Sequence, residues 1–298
     1  MSGAVLPAAA AAVRRFRVPQ RWVALGTAAA AFTILFFQPF VLLLGDWWNN
    51  PEAGHGLLLA PVAVWLAWRS RSATAATPSP SLGIGILVGA VLLRYLSGLG
   101  AELFTMRLSM LVAGAGLVLY FGGIRRLLRW WLPGTLLLLA IPLPAVVVGS
   151  IALPLQFQAS KMGAFLLDLR NIPVRLDGNL ILLPGHRLFV TEACSGLRSL
   201  TALLSLGVLA GGLWLRSPWS RAVLVAAAIP VAVVLNGIRV FLTGFLVYFV
   251  GPEFGDGFMH VTEGWLIFVV AFGLLGGLAW LLGVVERRLG SRRAAAWA

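Results

Sequence analysis

The single cysteine, Cys194, lies in a context that favours thiol chemistry. An apolar run directly after it predicts a helix over 195–215, with Ser195 as the candidate N-cap. The dipole of a helix N-terminus favours the thiolate, which is the reactive form of cysteine. Arg198 follows four residues later on the same helical face, where it could stabilise the thiolate or bind a substrate carboxylate. Glu192 is a nearby supporting residue; the alternative for Cys194 is a small apolar packing residue, as most free cysteines are.

Asn236 and Arg239 lie inside a second apolar run, three residues apart and therefore on one helical face. Arg239 is about 16 Å from the nearer end of that run at 1.5 Å per residue. A lipid-facing arginine costs about 2.5 kcal/mol or more, so we expect this one to face the protein interior or a wet cavity. The alternative is an arginine that pairs with an acid or with carbonyls for packing alone.

His260 precedes the last apolar run, and Glu263 follows it by three residues. A histidine there could titrate near neutrality and act as a base, oriented by Glu263 or Asp256. The alternative is an interfacial histidine without a role. Together, a cysteine, a histidine and an arginine are the parts of a thiol acyl-transfer site: a nucleophile, a proton carrier and a cation for the tetrahedral oxyanion.

The amino-acid composition indicates the class of protein in which these residues lie. Of 298 residues, 60% are apolar and only 11% are charged, whereas soluble domains have about 45–50% and about 25%. A soluble fold and a disordered chain are both excluded. We predict an all-α polytopic membrane protein with about eight transmembrane helices, at residues 22–44, 56–68, 81–98, 103–122, 128–149, 195–215, 222–250 and 264–285. The second of these is short for a span.

The net charge of +13 follows the predicted topology. Basic residues cluster at alternate ends of the apolar runs, and every acid except Glu286 falls on the opposite side. We predict a multi-pass protein of the cell (inner) membrane. The positive-inside rule sets both its termini in the cytoplasm and the candidate site on the external face. Residues 1–21 form a basic N-terminus and residues 286–298 a basic C-terminal tail. The charge therefore indicates a lipid bilayer and no nucleic acid as partner.

One external segment, residues 150–193, interrupts the succession of spans. Residues 151–169 predict an amphipathic interfacial helix, with Gln156, Ser160, Lys161 and Asp168 among apolar positions. Residues 174–190 alternate around two Gly-containing turns, which predicts short extended strands. External chemistry should involve this segment, because it is the only sizeable extramembrane piece on that side.

The chain resembles the exosortase/archaeosortase family of multi-pass membrane cysteine proteases and transpeptidases over most of residues 45–283. The ordered set of motifs is more specific than any one of them. It comprises His55-Gly56, Ile141-Pro142-Leu143-Pro144, Pro173-Val174, Gly178-Asn179, Leu183-Pro184-Gly185, Glu192-Ala193-Cys194-Ser195-Gly196-Leu197-Arg198-Ser199, Asn236-Gly237-Ile238-Arg239 and His260-Val261-Thr262-Glu263-Gly264.

The resemblance implies one exosortase-like domain over 22–285, with Cys194 as nucleophile, Arg239 as oxyanion stabiliser and His260 as acid/base. It implies bacterial-type cleavage of C-terminal sorting signals (PEP-CTERM-like) on exported proteins: a short motif, often Pro-Glu-Pro, then one transmembrane helix and a basic tail. The acyl group passes through a thioester to an unknown acceptor, a lipid or a polysaccharide. Such chemistry resembles that of sortases on an unrelated fold.

Other functions stay open at this point. A solute transporter would use Arg239 and Asn236 as a midplane site and would be indifferent to loss of Cys194. A non-catalytic membrane scaffold for exopolysaccharide export would keep its function without Cys194, Arg239 and His260. One cysteine and three histidines predict neither a metal site nor a cofactor.

Overall fold

The structure, a computed structural model, describes residues 20–71, 76–190, 196–251 and 257–295, except the side chains of 21, 257–264 and 290–295. The described chain forms ten helices and three short strands. The helices are α1 Gln20–Asn49, α2 Gly56–Ser70, α3 Pro80–Leu99, α4 Leu103–Gly122, α5 Ile124–Arg129, α6 Trp131–Leu139, α7 Ala145–Asp168, α8 Leu197–Trp214, α9 Pro218–Phe249 and α10 Gly257–Ala295; the strands are β1 Arg175–Asp177, β2 Leu180–Leu183 and β3 His186–Phe189.

The described residues group into two units. The first ends at Gln38 and, in its described part, is the N-terminal portion of α1, where Phe32 and Phe36 have ring centroids 4.9 Å apart. The second runs from Pro39 to Ala298 and holds the candidate site described below.

The predicted all-α polytopic membrane fold is confirmed, and the chain is a multi-pass membrane protein. Six described helices are long and apolar enough to cross a membrane, against about eight in the prediction: Trp22–Asn49, Pro80–Leu99, Leu103–Gly122, Leu197–Trp214, Pro218–Phe249 and Trp265–Leu289. Helix α2, the short second prediction, has 15 residues. At 1.5 Å per residue it is about 22 Å long, which is less than the ~30 Å hydrocarbon core.

The predicted fifth span, 128–149, is wrong as a single helix. The chain leaves helical geometry after Leu139, and α7 begins only at Ala145. Pro142 and Pro144 explain the break, because proline lacks an amide donor and disfavours helical geometry in the residue before it. Helix α6, with nine residues, is about 14 Å long and cannot cross a bilayer alone.

The predicted strands between 174 and 190 are confirmed as an antiparallel sheet in the order β1-β2-β3. Asp177 pairs with Leu180 and Leu183 pairs with His186, so each hairpin has a two-residue turn. Gly178 and Gly185 have φ of +61° and +77°, which only glycine adopts at little cost. The predicted helix 151–169 is also present, as part of the longer α7.

The amphipathic pattern assigned to α7 is only partly correct. Gln156 and Ser160 are buried, whereas Lys161 and Asp168 are exposed. The buried face packs along α9, where a Cβ added to Gly163 would come within 2.5 Å of Val240. Small residues allow two helices to approach this closely, as is usual between helices in membranes. The charged side chains of α7 therefore mark its exposed face, whereas its uncharged polar side chains do not.

Helix α9 is the central element, because it packs against α7, α8 and α10. One apolar core joins α8, α9 and α10 around Leu203, Leu224 and Leu275. A second core joins α7, the sheet and α9, with Leu167 and Ile181 fully buried. The helix that carries Asn236 and Arg239 is thus held on several sides.

Candidate active site

Two anchored residues flank the segment that contains Cys194. Before it, the Val190 backbone N–H donates to the Asn179 carbonyl over 2.9 Å, and the Asn179 side chain donates to the Val190 carbonyl over 3.1 Å. After it, Gly196 is buried and is the N-cap of α8, which begins at Leu197. The prediction of Ser195 as N-cap is therefore wrong, and so is the shared helical face of Cys194 and Arg198, because Cys194 precedes the helix. Cys194 and Glu192, the predicted nucleophile and its supporting acid, lie between these anchors and outside the described residues.

Gly196 lies directly against Asn236 of α9. Its φ is +77°, and a Cβ added to it would come within 2.7 Å of the Asn236 Cγ, closer than real Cβ atoms come. Asn236 is only 6% exposed, so the amide fills the space that a Gly196 side chain would need. The contact joins the chain two residues after Cys194 to the helix that carries Arg239.

Arg239 lies on the same face of α9 as Asn236, about 4.5 Å further along the axis. Its side chain is half-buried, with a fully buried Nε. The Thr243 hydroxyl donates to the Arg239 carbonyl over 3.0 Å, a bond typical of threonine inside a helix. Arg239 therefore faces the protein, as its position in an apolar run predicts.

His260 and Glu263 fall in the first turns of α10, where only the backbone is described. Helix α10 packs against both α8 and α9. The helix with the predicted acid/base is thus in contact with the helices that carry Arg198 and Arg239.

Arg198 lies at the edge of a cavity of about 370 Å³. Arg198 is an exposed residue, and within the described part of the chain it has no ion-pair partner. The walls come from the turn before α2, from the break between α6 and α7, and from the first turns of α8. Their main residues are Glu52, His55, Pro142, Leu143, Arg198 and Thr201.

His55 and Trp47 lie within hydrogen-bond distance of the carbonyls at the end of α6. The last carbonyls of a helix lack partners within it; here the Leu139 carbonyl is 3.1 Å from His55 Nε2, and the Ala140 carbonyl accepts from Trp47 Nε1 over 2.7 Å. A carbonyl only accepts, so Nε2 is the protonated nitrogen in this bond. In the sequence, His55 is part of a motif that carries the family resemblance, and no separate role is predicted for it.

An ion pair that sequence reasoning missed lies between α1 and α4. Arg107 Nη2 is 2.7 Å from Asp46 Oδ2, and Arg107 is 3% exposed. The sequence does indicate that Arg107 needs a partner, because it lies inside an apolar run, where an unpaired arginine is as costly as at Arg239. Its partner was not predictable, since Asp46 is 61 residues away in the chain.

Metal-ligating side chains do not cluster in the part of the chain that the structure describes: it contains no group of three or more histidine, cysteine, aspartate or glutamate residues.

Comparison with known proteins places these features in a family. A family model described as transmembrane exosortase matches residues 47–277, a range that contains Cys194, Arg239 and His260 in that order. No curated protein and no solved structure matches the chain at a significant level. Since the matched range covers well over half of the sequence, the chain belongs to the transmembrane exosortase family.

Proposed function

We propose that this membrane exosortase is a cysteine peptidase/transpeptidase that cleaves C-terminal sorting signals of exported proteins through a thioester on Cys194. The observation that carries the proposal is the family match, which spans the cysteine, the arginine and the histidine of the predicted acyl-transfer site. The described geometry supports it, because Gly196 and Asn236 hold the chain next to Cys194 against the helix of Arg239.

In the first half-reaction, the Cys194 thiolate attacks the scissile carbonyl. Cys194 lies three residues before the first residue of α8, where the helix dipole favours a negative charge. Arg239 stabilises the oxyanion that forms, because a guanidinium presents a rigid fork of N–H donors that suits an anionic oxygen. When the intermediate collapses, the C–N bond breaks and His260 protonates the leaving amine. The thioester remains on Cys194.

In the second half-reaction, His260 takes a proton from the incoming nucleophile, which attacks the thioester carbonyl. The C–S bond breaks and Cys194 leaves as the thiolate. Water gives hydrolysis, an acceptor amine gives transpeptidation through a new amide bond, and a hydroxyl of a lipid or polysaccharide gives an ester. Glu263, one turn from His260 on α10, is the residue assigned to orient the imidazole.

The positive-inside distribution supports an external site with both termini cytoplasmic. A signal made of a short motif, one transmembrane helix and a basic tail would then place its cleavage point just outside the bilayer. The start of α8, a helix long and apolar enough to cross a membrane, would then lie at the same level.

The test is intact mass spectrometry of the purified full-length protein incubated with a peptide that carries a Pro-Glu-Pro signal. Wild-type protein should gain an acyl mass that hydroxylamine removes, and the chain's single cysteine makes the assignment unambiguous. Cys194→Ala should gain none. Cys194→Ser keeps the side-chain size with a weaker nucleophile and should process a co-expressed substrate far more slowly.

Processing at the wild-type level in Cys194→Ala, with equal protein abundance, would remove the nucleophile from the proposal. A transporter or a non-catalytic scaffold for polysaccharide export would then explain the chain better. Solute-dependent flux in vesicles would separate these two.

A further inference from the structure

The cavity beside Arg198 combines apolar walls with a few charged groups. Most of its lining is aliphatic, aromatic or proline, including Phe104, Ile141 and Leu143. Polar groups enter from two sides, with Glu52 and His55 before α2 and Arg198 in the first turn of α8. An apolar concavity with a few convergent polar groups is typical of ligand-binding sites in proteins.

The volume limits what the cavity can hold. A helix about 10 Å in diameter that rises 1.5 Å per residue takes up about 120 Å³ per residue. The cavity of about 370 Å³ therefore fits about three residues of peptide. A whole transmembrane helix is excluded, and a short extended segment at its end fits.

Arg198 is close in sequence to the predicted nucleophile. It is the second residue of α8, four residues after Cys194 in the chain, and belongs to the cavity wall, as does Thr201 one turn later. A guanidinium prefers a carboxylate, which it binds through two parallel hydrogen bonds. Glu52 lines the cavity from the turn before α2. A cationic group of the ligand would be attracted to Glu52 and therefore away from α8.

We infer that this cavity binds the two or three substrate residues next to the scissile bond, and that Arg198 selects an acidic side chain among them. The inference rests on the proposed peptidase function and adds a specificity-determining residue to it. In this role Arg198 contacts the substrate, and its effect on the Cys194 thiol is secondary.

The experiment separates binding from chemistry by using full-length Cys194→Ala protein in detergent. Fluorescence polarisation measures its Kd for a labelled peptide with Pro-Glu-Pro ahead of an apolar segment, and for the Pro-Gln-Pro and Pro-Lys-Pro analogues. Adding Arg198→Gln should weaken binding of the glutamate peptide by about tenfold to a hundredfold. The glutamine peptide should bind both proteins equally. Arg198→Glu should favour the lysine peptide over the glutamate peptide.

Arg187→Gln is the matched control, because Arg187 is also an exposed arginine but lies on β3, away from the cavity wall. It should leave all three Kd values unchanged. Equal loss of affinity for the glutamate and glutamine peptides in Arg198→Gln would overturn the inference, and so would no loss for either peptide.

A second readout separates substrate binding from thiol activation. In the chain that retains Cys194, the pH dependence of alkylation should be the same with and without Arg198→Gln. A shifted alkylation profile together with unchanged peptide discrimination would assign Arg198 to the thiol and refute its role in selection. Failure to form the acyl-enzyme would defeat the peptidase proposal alone, since the Kd comparison needs no reaction.

Discussion

Replacement of Gly196 by alanine tests how the segment with Cys194 is held. Gly196 has φ of +77° and lies against Asn236. Alanine introduces two separate costs there. Its Cβ is strained at positive φ, and the same Cβ would come within 2.7 Å of the Asn236 Cγ, so the asparagine or the backbone must move.

The two costs can be estimated separately. The left-handed conformation costs a residue with a Cβ about 1–2 kcal/mol. Overpacking in a buried site adds about 1–3 kcal/mol. Gly196→Ala should therefore lower the free energy of unfolding by about 2–5 kcal/mol. Gly185→Ala is the matched control, because Gly185 has the same φ of +77° but nothing within 4 Å of an added Cβ. It should cost about 1–2 kcal/mol.

The assay is unfolding in mixed micelles of a mild detergent and SDS, followed for both single variants. A double-mutant cycle with Asn236→Ala isolates the contact. Alanine at 236 removes the Cγ and Nδ2 atoms that lie closest to the added Cβ, so Gly196→Ala should cost less in that background. Processing should fall further than stability alone explains, since a 1 Å shift near the reacting groups can cost about a hundredfold in rate.

Two results would refute this reasoning. Equal destabilisation by Gly196→Ala and Gly185→Ala would mean that Asn236 does not occupy the space beside Gly196. A coupling near zero in the cycle would mean that any extra cost arises elsewhere. Either result would remove the structural link between the Cys194 segment and α9.

Three further perturbations test the surrounding frame. Arg107→Ala leaves Asp46 without its ion-pair partner. Because the Asp46 side chain is 38% exposed and water can solvate it, the loss should be about 1 kcal/mol in the same micelle assay. Arg107→Met with Asp46→Leu should recover most of this, and equal loss in both would contradict the ion-pair explanation. The hydrogen bond from Thr105 lowers the pKa of Glu102 below its ordinary 4.5. The contribution of Glu102 to the free energy of unfolding is therefore complete above pH 4.5 and is lost as the pH falls through the folded pKa. Glu102→Gln should flatten this loss of stability in acid, measured as unfolding against pH, and an unchanged profile would contradict the assignment. His55→Ala should lower the free energy of unfolding by about 1 kcal/mol, because the hydrogen bond to α6 is lost. His55→Gln keeps an amide donor and should recover part of this loss. No recovery would contradict the role of the hydrogen bond.

Local patterns in the sequence predicted most of the architecture. The apolar runs over 81–98, 103–122 and 222–250 correspond to α3, α4 and α9 within a few residues. The turns at Gly178-Asn179 and Pro184-Gly185 placed both hairpins of the sheet correctly. These features depend on neighbouring residues alone, through side-chain burial and backbone dihedral preferences.

Such local patterns do not predict long-range contacts. The approach of Gly196 to Asn236 and the pairing of Arg107 with Asp46 each join distant parts of the chain. Composition shows that a buried arginine needs a partner, but many acids satisfy that need equally well. The cavity beside Arg198 likewise has walls from separate elements, and no single stretch of sequence describes it.

The failed prediction of a fifth span bears directly on the site. Apolar residues on both sides of Pro142 and Pro144 gave the hydropathy of a continuous helix, and the two prolines break it. Irregular backbone at membrane depth is tolerated only where it is buried in protein or lines a cavity. Both conditions hold here: Ala140 and Ile141 at the break are buried, and Pro142 is part of the cavity wall. His55 is also within hydrogen-bond distance of the Leu139 carbonyl. A departure from the local rule is expected where function requires it, and this one lines, together with Arg198, the cavity to which we assign substrate selection.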